Sequence, residues 1–322
     1  MKQVRRVFTW SQEDRRKDRI PSELVLLMVC RNMAEVSSGG GEQKGAEDSV
    51  DAMPWPVTSS AEGGKKVPAS SGSKAAGSDP SYRYKMAYPS IGTCLIINNE
   101  KFHESTNMDL RKGTDLDADE VFKTFKKLGY NTVMFKNQKV EEMRRLLKQY
   151  SGQDHSENAS FVCVLLSHGK EGVIYGTDGC EKIDTLVQCF KGHSCLSLVG
   201  KPKLFFIQAC RGTTTDEGVE TDSVAGQTSE KIPVEADFLY AYSTAPGYLA
   251  WRNVNTGSWF IQSLCKMLES YSGELELMQI LTRVNNHVAR HYESSSSKRE
   301  HSGKKQIPCI VSMLTKEFHF SG

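Results

Sequence analysis

The sequence has 322 residues, and its 41 Lys and Arg against 39 Asp and Glu leave a net charge of +2. This balance excludes a generic nucleic-acid or membrane-surface binder, which needs a basic excess to neutralise phosphates, and no apolar run approaches the roughly 20 residues of a membrane helix. Nine cysteines, an odd number with no Cys-x-x-Cys pair and no convincing export signal, favour a reducing compartment, so we expect a cytoplasmic protein.

The N-terminal part of the chain predicts a disordered leader. Residues 34–80 are rich in Gly, Ser and Pro and contain a single aromatic residue, Trp55. Such a stretch cannot bury enough apolar surface to offset the entropy lost when it becomes ordered. Met33 stands at the start of this stretch and is an alternative start position.

From about Met86 onward, short apolar runs alternate with segments of helical periodicity. Each run has the length of a buried strand, and the six runs cover residues 94–97, 132–135, 161–166, 204–207, 238–242 and 310–314. Asp115 is expected to cap the first helix, which Gly129 ends. The further helices are predicted at 143–147, 259–268 and 275–288. Strands that alternate with helices predict the α/β class, with a mostly parallel central sheet flanked by helices.

Residues 213–231 interrupt this alternation between the fourth and fifth predicted strands. They are charged and rich in Thr, and their large apolar residues are Val219 and Val224. Long inserts without structure inside compact domains are usually functional or disordered. We therefore predict an exposed linker within the domain.

Two of the predicted strands end in residues that a thiol-dependent enzyme needs. The third ends at His168 and Gly169, and the fourth ends at Cys210. The carboxyl ends of parallel neighbours meet at one edge of a sheet, so an imidazole there can take the proton of a thiol nucleophile. Each residue also has an ordinary explanation, as a buried cysteine or a solvated histidine, and spacing alone leaves both interpretations open.

A wider pattern resembles a known family. Residues 208–212 read Gln-Ala-Cys-Arg-Gly, the signature of the caspases, with His168 upstream as that signature requires. The resemblance runs from about Ser81 to Gly322, and its other segments are 97–99, 113–115, 165–169, 231–237 and 304–309. The chain resembles an executioner caspase of the caspase-three and caspase-seven type, and these motifs do not separate the two. The resemblance implies a caspase-like fold and a cysteine endopeptidase that cuts proteins after aspartate in the execution phase of apoptosis.

The resemblance also implies a role for each matching residue. Cys210 would be the nucleophile and His168 the acid/base, and the backbone N–H groups of Gly169 and Cys210 would stabilise the oxyanion. The residues that would bind the substrate are Arg111, Gln208 and Arg252 around its aspartate, and Trp251, Asn253 and Trp259 in the neighbouring subsites. Two guanidinium groups can hold one carboxylate through several charge-assisted hydrogen bonds. Without the resemblance, the arginines would be ordinary surface residues and the tryptophans ordinary packing residues.

Two segments depart from the family pattern. Leu249 and Ala250 stand where executioner caspases usually carry a tyrosine and a serine, which removes one aromatic wall and one hydroxyl near the specificity pocket. The loop at 294–303 is rich in serine where close relatives have phenylalanines. These changes affect the fine sequence preference, while the aspartate requirement is expected to stay.

Aspartate specificity predicts how the protein itself is processed. Asp222, which precedes Ser223 in the linker, resembles the family's activating site, and Asp51, which precedes Ala52, resembles the site that releases a prodomain. A zymogen activated by cleavage after Asp222 is therefore implied. The corresponding division is an N-terminal extension at 1–51, a large catalytic subunit at 52–222, ordered from about residue 86, and a small subunit at 223–322 that begins with the cleaved linker 223–231.

The resemblance further implies the partners of the protein. They are protein substrates with aspartate before the scissile bond, upstream initiator caspases and inhibitor-of-apoptosis proteins. The charge balance and the short apolar runs predict neither a nucleic-acid nor a membrane partner. A homodimer of large and small subunit pairs is implied, joined through the edge strand around 310–314, because an unpaired apolar edge is otherwise an aggregation hazard. No cofactor and no metal is expected.

Two other functions stay open from the sequence. The first is a catalytically silent caspase-like scaffold, although the presence of Cys210 and His168 argues against it. The second is a metal or redox protein that uses His287 and His291, which can share one helix face. Against it, the cysteines lack zinc-site spacing and no acidic residue lies between the two histidines.

Overall fold

A six-stranded sheet forms the centre of the protein. The computed structural model describes residues 51–52, 80–214, 235–295 and 301–320, all within the compact unit Ala46–Gly322. The strands of the sheet are β1 (Ser90–Asn98), β2 (Asn131–Lys136), β3 (Asn158–Leu166), β4 (Lys203–Gln208), β5 (Phe238–Tyr242) and β6 (Cys309–Ser312). Their spatial order is β6-β5-β4-β3-β1-β2; β6 runs antiparallel to β5, and the other neighbours are parallel. The predicted mostly parallel sheet is confirmed.

Within the described ranges, five α-helices cover the two faces of this sheet. They are α1 (Thr114–Lys127), α2 (Val140–Ser151), α3 (Ile183–Val187), α4 (Trp259–Tyr271) and α5 (Leu277–His291). Successive residues of β1 face opposite sides: Cys94 and Ile96 pack in the core with α1, α4 and α5, whereas Leu95 and Ile97 pack in the core with α2 and α3. Burial on both faces explains why the inner strands β1, β3, β4 and β5 read as continuous apolar runs rather than as alternating patterns.

The N-terminus of α1 differs from the prediction. The capping position is Gly113, not Asp115, which lies inside the first turn. Asp115 accepts a hydrogen bond from Asn98 at 2.6 Å and pairs with Lys136 at 2.9 Å, and a carboxylate there also suits the positive end of the helix. Gly113 has φ +83°, and a Cβ on it would lie 2.8 Å from the carbonyl oxygen of Asn253. Glycine therefore permits both the turn and the close approach of that neighbouring segment.

Short ladders surround the carboxyl ends of the parallel strands. They pair Asp51–Ala52 with Ser294–Ser295, Gly212–Thr214 with Gly247–Tyr248, and Arg252–Asn253 with Gly257–Ser258, and a further three-stranded ladder joins Gly169–Lys170, Val173–Gly176 and Gly179–Lys182. These ladders hold in place the loops in which the candidate catalytic and substrate-binding residues lie.

Several predicted features fall outside the described residues. They are the leader at 34–80 apart from residues 51, 52 and 80, the linker from residue 215 onward with its cleavage site Asp222, and residues 296–300 of the serine-rich loop. Upstream of Met86, Tyr84 is buried and donates a hydrogen bond to Asp237 at 2.6 Å. In the part of the chain that is described, no helix combines the length and apolarity that crossing a membrane requires.

Candidate active site

The carboxyl ends of β3 and β4 bring His168 and Cys210 to the same edge of the sheet. Pairing continues past both strand ends, because the N–H of Ser167 donates to the carbonyl of Gln208 at 3.1 Å. A Cβ placed on Gly169 would lie 2.8 Å from the Cβ of Ala209 and 3.0 Å from the carbonyl oxygen of Cys210. Glycine thus lets the two loops touch, and the predicted neighbours meet.

An ion pair joins the loops that follow His168 and Cys210. Arg211 donates from Nε and Nη2 to the two carboxylate oxygens of Glu171, at 3.1 and 2.6 Å. The guanidinium also lies over the ring of Tyr242, 4.1 Å from its centroid. This bidentate contact fixes the spacing of the two loops more firmly than a single ion pair would.

His168 is held as a neutral imidazole. Its Nε2 lies 2.8 Å from the carbonyl oxygen of Asp109, so Nε2 carries the hydrogen and Nδ1 keeps its lone pair. Burial, with Arg111 nearby as the second cause, lowers the pKa of His168 to about 3. The ring is flanked by Phe102 at 4.9 Å between centroids. A neutral histidine with an available lone pair is the form that accepts a proton.

The sulfur of Cys210 lies against Ala250. The N–H of Ala250 donates to Sγ at 3.4 Å, and Sγ lies 3.9 Å from the carbonyl oxygen of the same residue. The thiol is partly exposed and free. Among the described residues no hydrogen bond joins Sγ to His168, a separation that is common before a substrate draws catalytic groups together.

A buried arginine lies next to this pair with part of its hydrogen-bonding capacity unused. Arg111 is 1% exposed, and its Nη1 donates to the carbonyl of Asn99 at 2.9 Å and to Thr114 at 2.7 Å. Among the described residues its Nη2 has no hydrogen-bond partner, and neither has the buried Oε1 of Gln208. Side-chain amide oxygens and nitrogens are assigned from their partners, so Gln208 can present an N–H instead. Unpaired buried polar atoms are costly, and a carboxylate would satisfy them.

The second arginine reaches the same place from a different segment. Arg252 donates from Nε to the carbonyl of Lys112 at 2.8 Å, which docks its hairpin on the loop of Arg111. The positive charge of Arg252 adds to burial in lowering the pKa of Arg111, whereas Asp117 and Cys210 oppose that shift. Two guanidinium groups thus stand close together beside the thiol, with one buried carboxylate behind them.

Asp117 is that buried carboxylate, and it anchors the hairpin of Arg252. Its Oδ1 accepts hydrogen bonds from the N–H of Ser258 at 2.8 Å and from Gln262 at 3.2 Å. Burial raises the pKa of Asp117, and the Ser258 and Gln262 donors and Arg252 lower it. Asp117 therefore links α1, the hairpin and the first turn of α4.

Replacing Asp117 by Ala is expected to loosen the hairpin. The N–H of Ser258 would be left buried without an acceptor, so we expect the free energy of unfolding to fall by about 2–3 kcal/mol. Displacement of Arg252 should lower kcat/KM for an aspartyl peptide by about 10- to 100-fold. Denaturant unfolding and peptide hydrolysis measure the two effects. The matched control is the exposed Asp119→Ala on the same helix, and equal behaviour of the two variants would contradict the anchoring role.

Not all predicted substrate residues line an open surface. Trp251 and Trp259 are buried core residues that stack on each other at 6.0 Å between centroids. The Oδ1 of Asn253 accepts hydrogen bonds from the N–H groups of Asn255 and Thr256 and shapes the hairpin turn. A contact of these three residues with substrate stays a prediction.

The structure describes one of the two predicted cleavage sites, Asp51. Asp222 lies outside the described residues, whereas the backbone of Asp51 pairs with Ser295. The use of either site stays a prediction. The loop that begins at Ser294 closes on itself, because Ser294 Oγ donates to the carbonyl of His301 and accepts from the N–H of Lys304.

Sequence reasoning missed several residues that position the site. Asp117, Asn99, Thr114 and the carbonyl of Asp109 support the two arginines and His168. Gln306 was missed too: its Oε1 accepts from the N–H of Trp251 at 2.7 Å and its Nε2 donates to the carbonyl of Ser243 at 2.6 Å. Asn99, Thr114 and Gln306 lie within segments that carried the family resemblance, which was the available signal.

The comparisons with known proteins all point to one family. The family model "Caspase domain" matches residues 91–319. The chain is 53% identical over 249 residues to caspase-7 of Gallus gallus, covering 75% of this chain and 81% of that protein. It is 56% identical over 239 residues to caspase-3 of Bos taurus and 58% identical over 239 residues to caspase-3 of Mesocricetus auratus, covering 74% of this chain and 87% and 86% of those proteins.

Proposed function

The chain belongs to the caspase family, and from this premise we propose that Cys210 and His168 cut protein chains after an aspartate held by Arg111, Gln208 and Arg252. Membership makes the protein a cysteine-type endopeptidase specific for aspartate. The observation that carries the residue assignment is the buried guanidinium of Arg111, whose Nη2 lacks a partner beside the thiol of Cys210.

The pocket chemistry supports aspartate rather than glutamate. Arg111 cannot swing toward a longer side chain, because two hydrogen bonds fix its Nη1. A glutamate would carry its carboxylate one methylene deeper, against these fixed donors. Arg252 comes from a hairpin docked on the Arg111 loop, so both guanidinium groups are positioned before the substrate arrives, which lowers the cost of binding.

The proposed reaction uses the geometry of both strand ends. The thiol of Cys210 gives its proton to Nδ1 of His168, and the sulfur attacks the carbonyl carbon of the scissile bond. The backbone N–H groups of Gly169 and Cys210 donate to the oxyanion that forms. His168 then protonates the leaving amine as the peptide C–N bond breaks, and water hydrolyses the thioester that remains on Cys210.

The same specificity supports activation by proteolysis. We assign residues 1–51 to an N-terminal extension, 52–222 to the large subunit and 223–322 to the small subunit. Arg111 and Cys210 then belong to the larger fragment and Arg252 to the smaller one. Cleavage after Asp222 would free the loops on either side of it to complete the pocket around these three residues, and cleavage after Asp51 would remove the extension.

The edge of the sheet supports a homodimer. β6 is the outermost strand beside β5, and Val311 on it is 41% exposed. A second copy pairing along this edge would cover an apolar strand that is otherwise open to aggregation. We further propose a cytoplasmic role in the execution phase of apoptosis, with initiator caspases acting upstream and inhibitor-of-apoptosis proteins as regulators.

A covalent probe tests the site assignment. An aspartyl ketone should alkylate Cys210 in the cleaved protein, and peptide mapping by mass spectrometry should find the adduct there. A glutamyl ketone with the same number of residues should label Cys210 far more slowly, because the extra methylene of its side chain misplaces the carboxylate. Labelling of another cysteine, or none at all in a folded protein, would favour the catalytically silent scaffold instead.

A further inference from the structure

A cleft lies between α4 and α5, apart from the residues of the candidate active site. It has a volume of about 430 Å³, a size typical of small-molecule sites. Its lining residues are Met267, Tyr271, Thr282, Arg283, Asn286, His287 and His291. Met267 and Tyr271 form an apolar wall on α4, and the charged and polar groups come from α5.

The lining of this cleft carries only basic charge. Arg283 and the two histidines face it, and none of its lining residues has a carboxylate. Arg283 lies over the ring of Tyr271, 4.3 Å from its centroid, and within the described ranges it forms no ion pair. A guanidinium stacked on an aromatic ring keeps its outward N–H groups available for an anion.

His287 is a second basic side chain of the cleft, and its surroundings favour the neutral ring. Its Nε2 lies 3.1 Å from the ammonium of Lys266, and its Nδ1 lies 2.9 Å from the hydroxyl of Ser263, both on α4. Because an ammonium can only donate, Nε2 accepts and Nδ1 carries the hydrogen. Burial, Lys266 and His291 lower the pKa of His287 to about 4.

These contacts speak against a metal at the His287–His291 pair. The rings stack at 4.7 Å between centroids, but the lone pair of Nε2 on His287 already faces an ammonium. A cation would have to displace Lys266 and would sit beside Arg283. An anion would be attracted instead, because every charged group that faces His287 from α4 and α5 is basic.

We propose that the cleft between α4 and α5 binds a small anion with an apolar body, its acidic group facing Arg283 and His287 and its apolar part packing on Met267 and Tyr271. The anion offsets the repulsion among the basic groups and favours protonation of His287. Binding is therefore linked to proton uptake and becomes tighter as the pH falls toward the histidine range. The ring of Tyr292 contacts that of His287, with 5.6 Å between the centroids.

Benzenesulfonate is a suitable probe because its charge does not change with pH. Isothermal titration of the protein should give a dissociation constant of about 1 mM or tighter at about pH 7.5, and about tenfold tighter binding at about pH 5.5 with net proton uptake. The neutral isostere benzenesulfonamide should bind at least about tenfold more weakly. A probe that binds at the same strength with and without its charge, or shows no pH dependence, would overturn the proposal.

Variants separate this cleft from the arginine pocket of the active site. Arg283→Gln should weaken benzenesulfonate binding at least about tenfold, and Thr282→Glu, which adds a carboxylate at the rim, should do the same. The matched control Arg290→Gln removes an exposed arginine from the same helix outside the cleft and should bind as the unchanged protein does. All three variants should hydrolyse peptides as the unchanged protein does. Binding of benzenesulfonate therefore tests the cleft, and peptide hydrolysis tests the catalytic assignment independently. Equal binding by Arg283→Gln and Arg290→Gln would refute the cleft as the site.

Discussion

Replacing Arg111 by Lys is expected to lower kcat/KM for a peptide with aspartate before the scissile bond by about 100- to 1,000-fold. The Nη1 group of Arg111 donates its hydrogen bonds to Asn99 and Thr114 of the protein. Its Nη2 group has no partner among the described residues, and we assign it to the carboxylate of the substrate. A lysine ammonium is compact and cannot reach both sets of acceptors in a planar arrangement. Losing one partner of a buried charge pair costs about 2–5 kcal/mol, which corresponds to this range.

The loss should be specific to the acidic side chain of the substrate. The unchanged protein should hydrolyse an aspartyl peptide with a much higher kcat/KM than its asparaginyl isostere. In Arg111→Lys the ratio of the two kcat/KM values should be far smaller. Arg145→Lys, an exposed arginine on α2, is the control and should leave kcat/KM unchanged. Because Arg111 is buried, circular dichroism and thermal unfolding must accompany the kinetics. A folded Arg111→Lys protein with undiminished kcat/KM would remove Arg111 from the pocket.

The sequence predicts the sheet and the meeting of His168 and Cys210 at one sheet edge, because both follow from local patterns. β3 and β4 are buried on both faces, so each reads as an apolar run that ends where the polar chemistry begins. Parallel pairing of these two strands then places His168 and Cys210 side by side. The family signature adds the expectation that Cys210 is the nucleophile, which spacing alone leaves undecided.

The supporting residues escape prediction because their partners are distant in the chain. Asp117 binds the N–H of Ser258, 141 positions away, and Arg252 binds the carbonyl of Lys112, 140 positions away. No periodicity encodes such contacts, which exist only after α1 and α4 pack together. The cap of α1 shows the same limit: Asp115 has the right residue type, but the approach of Asn253 favours a glycine at the capping position.

Replacing Cys210 by Ala is expected to lower peptide hydrolysis by about 10⁴-fold or more, because the sulfur that would form the thioester is absent. The packing cost should be small, since the thiol is partly exposed and its one close polar neighbour is Ala250. We therefore expect a folded protein that is recovered as one uncut chain. Mass spectrometry should find the unchanged protein cut after Asp222, with a small fragment that begins at Ser223.

Cleavage of one molecule by another distinguishes the role of Cys210 as nucleophile from the role of Asp222 as cleavage site. A trace of active protein should cleave Cys210→Ala after Asp222, whereas the double variant Cys210→Ala, Asp222→Ala should stay uncut at that bond. The single variant Asp222→Ala keeps Cys210, so its low activity would reflect the uncut linker rather than a missing nucleophile. Full activity of uncut Asp222→Ala would show that the arginine pocket assembles without cleavage. Self-processing by Cys210→Ala would mean that another group does the chemistry, because no thiolate remains at the end of β4.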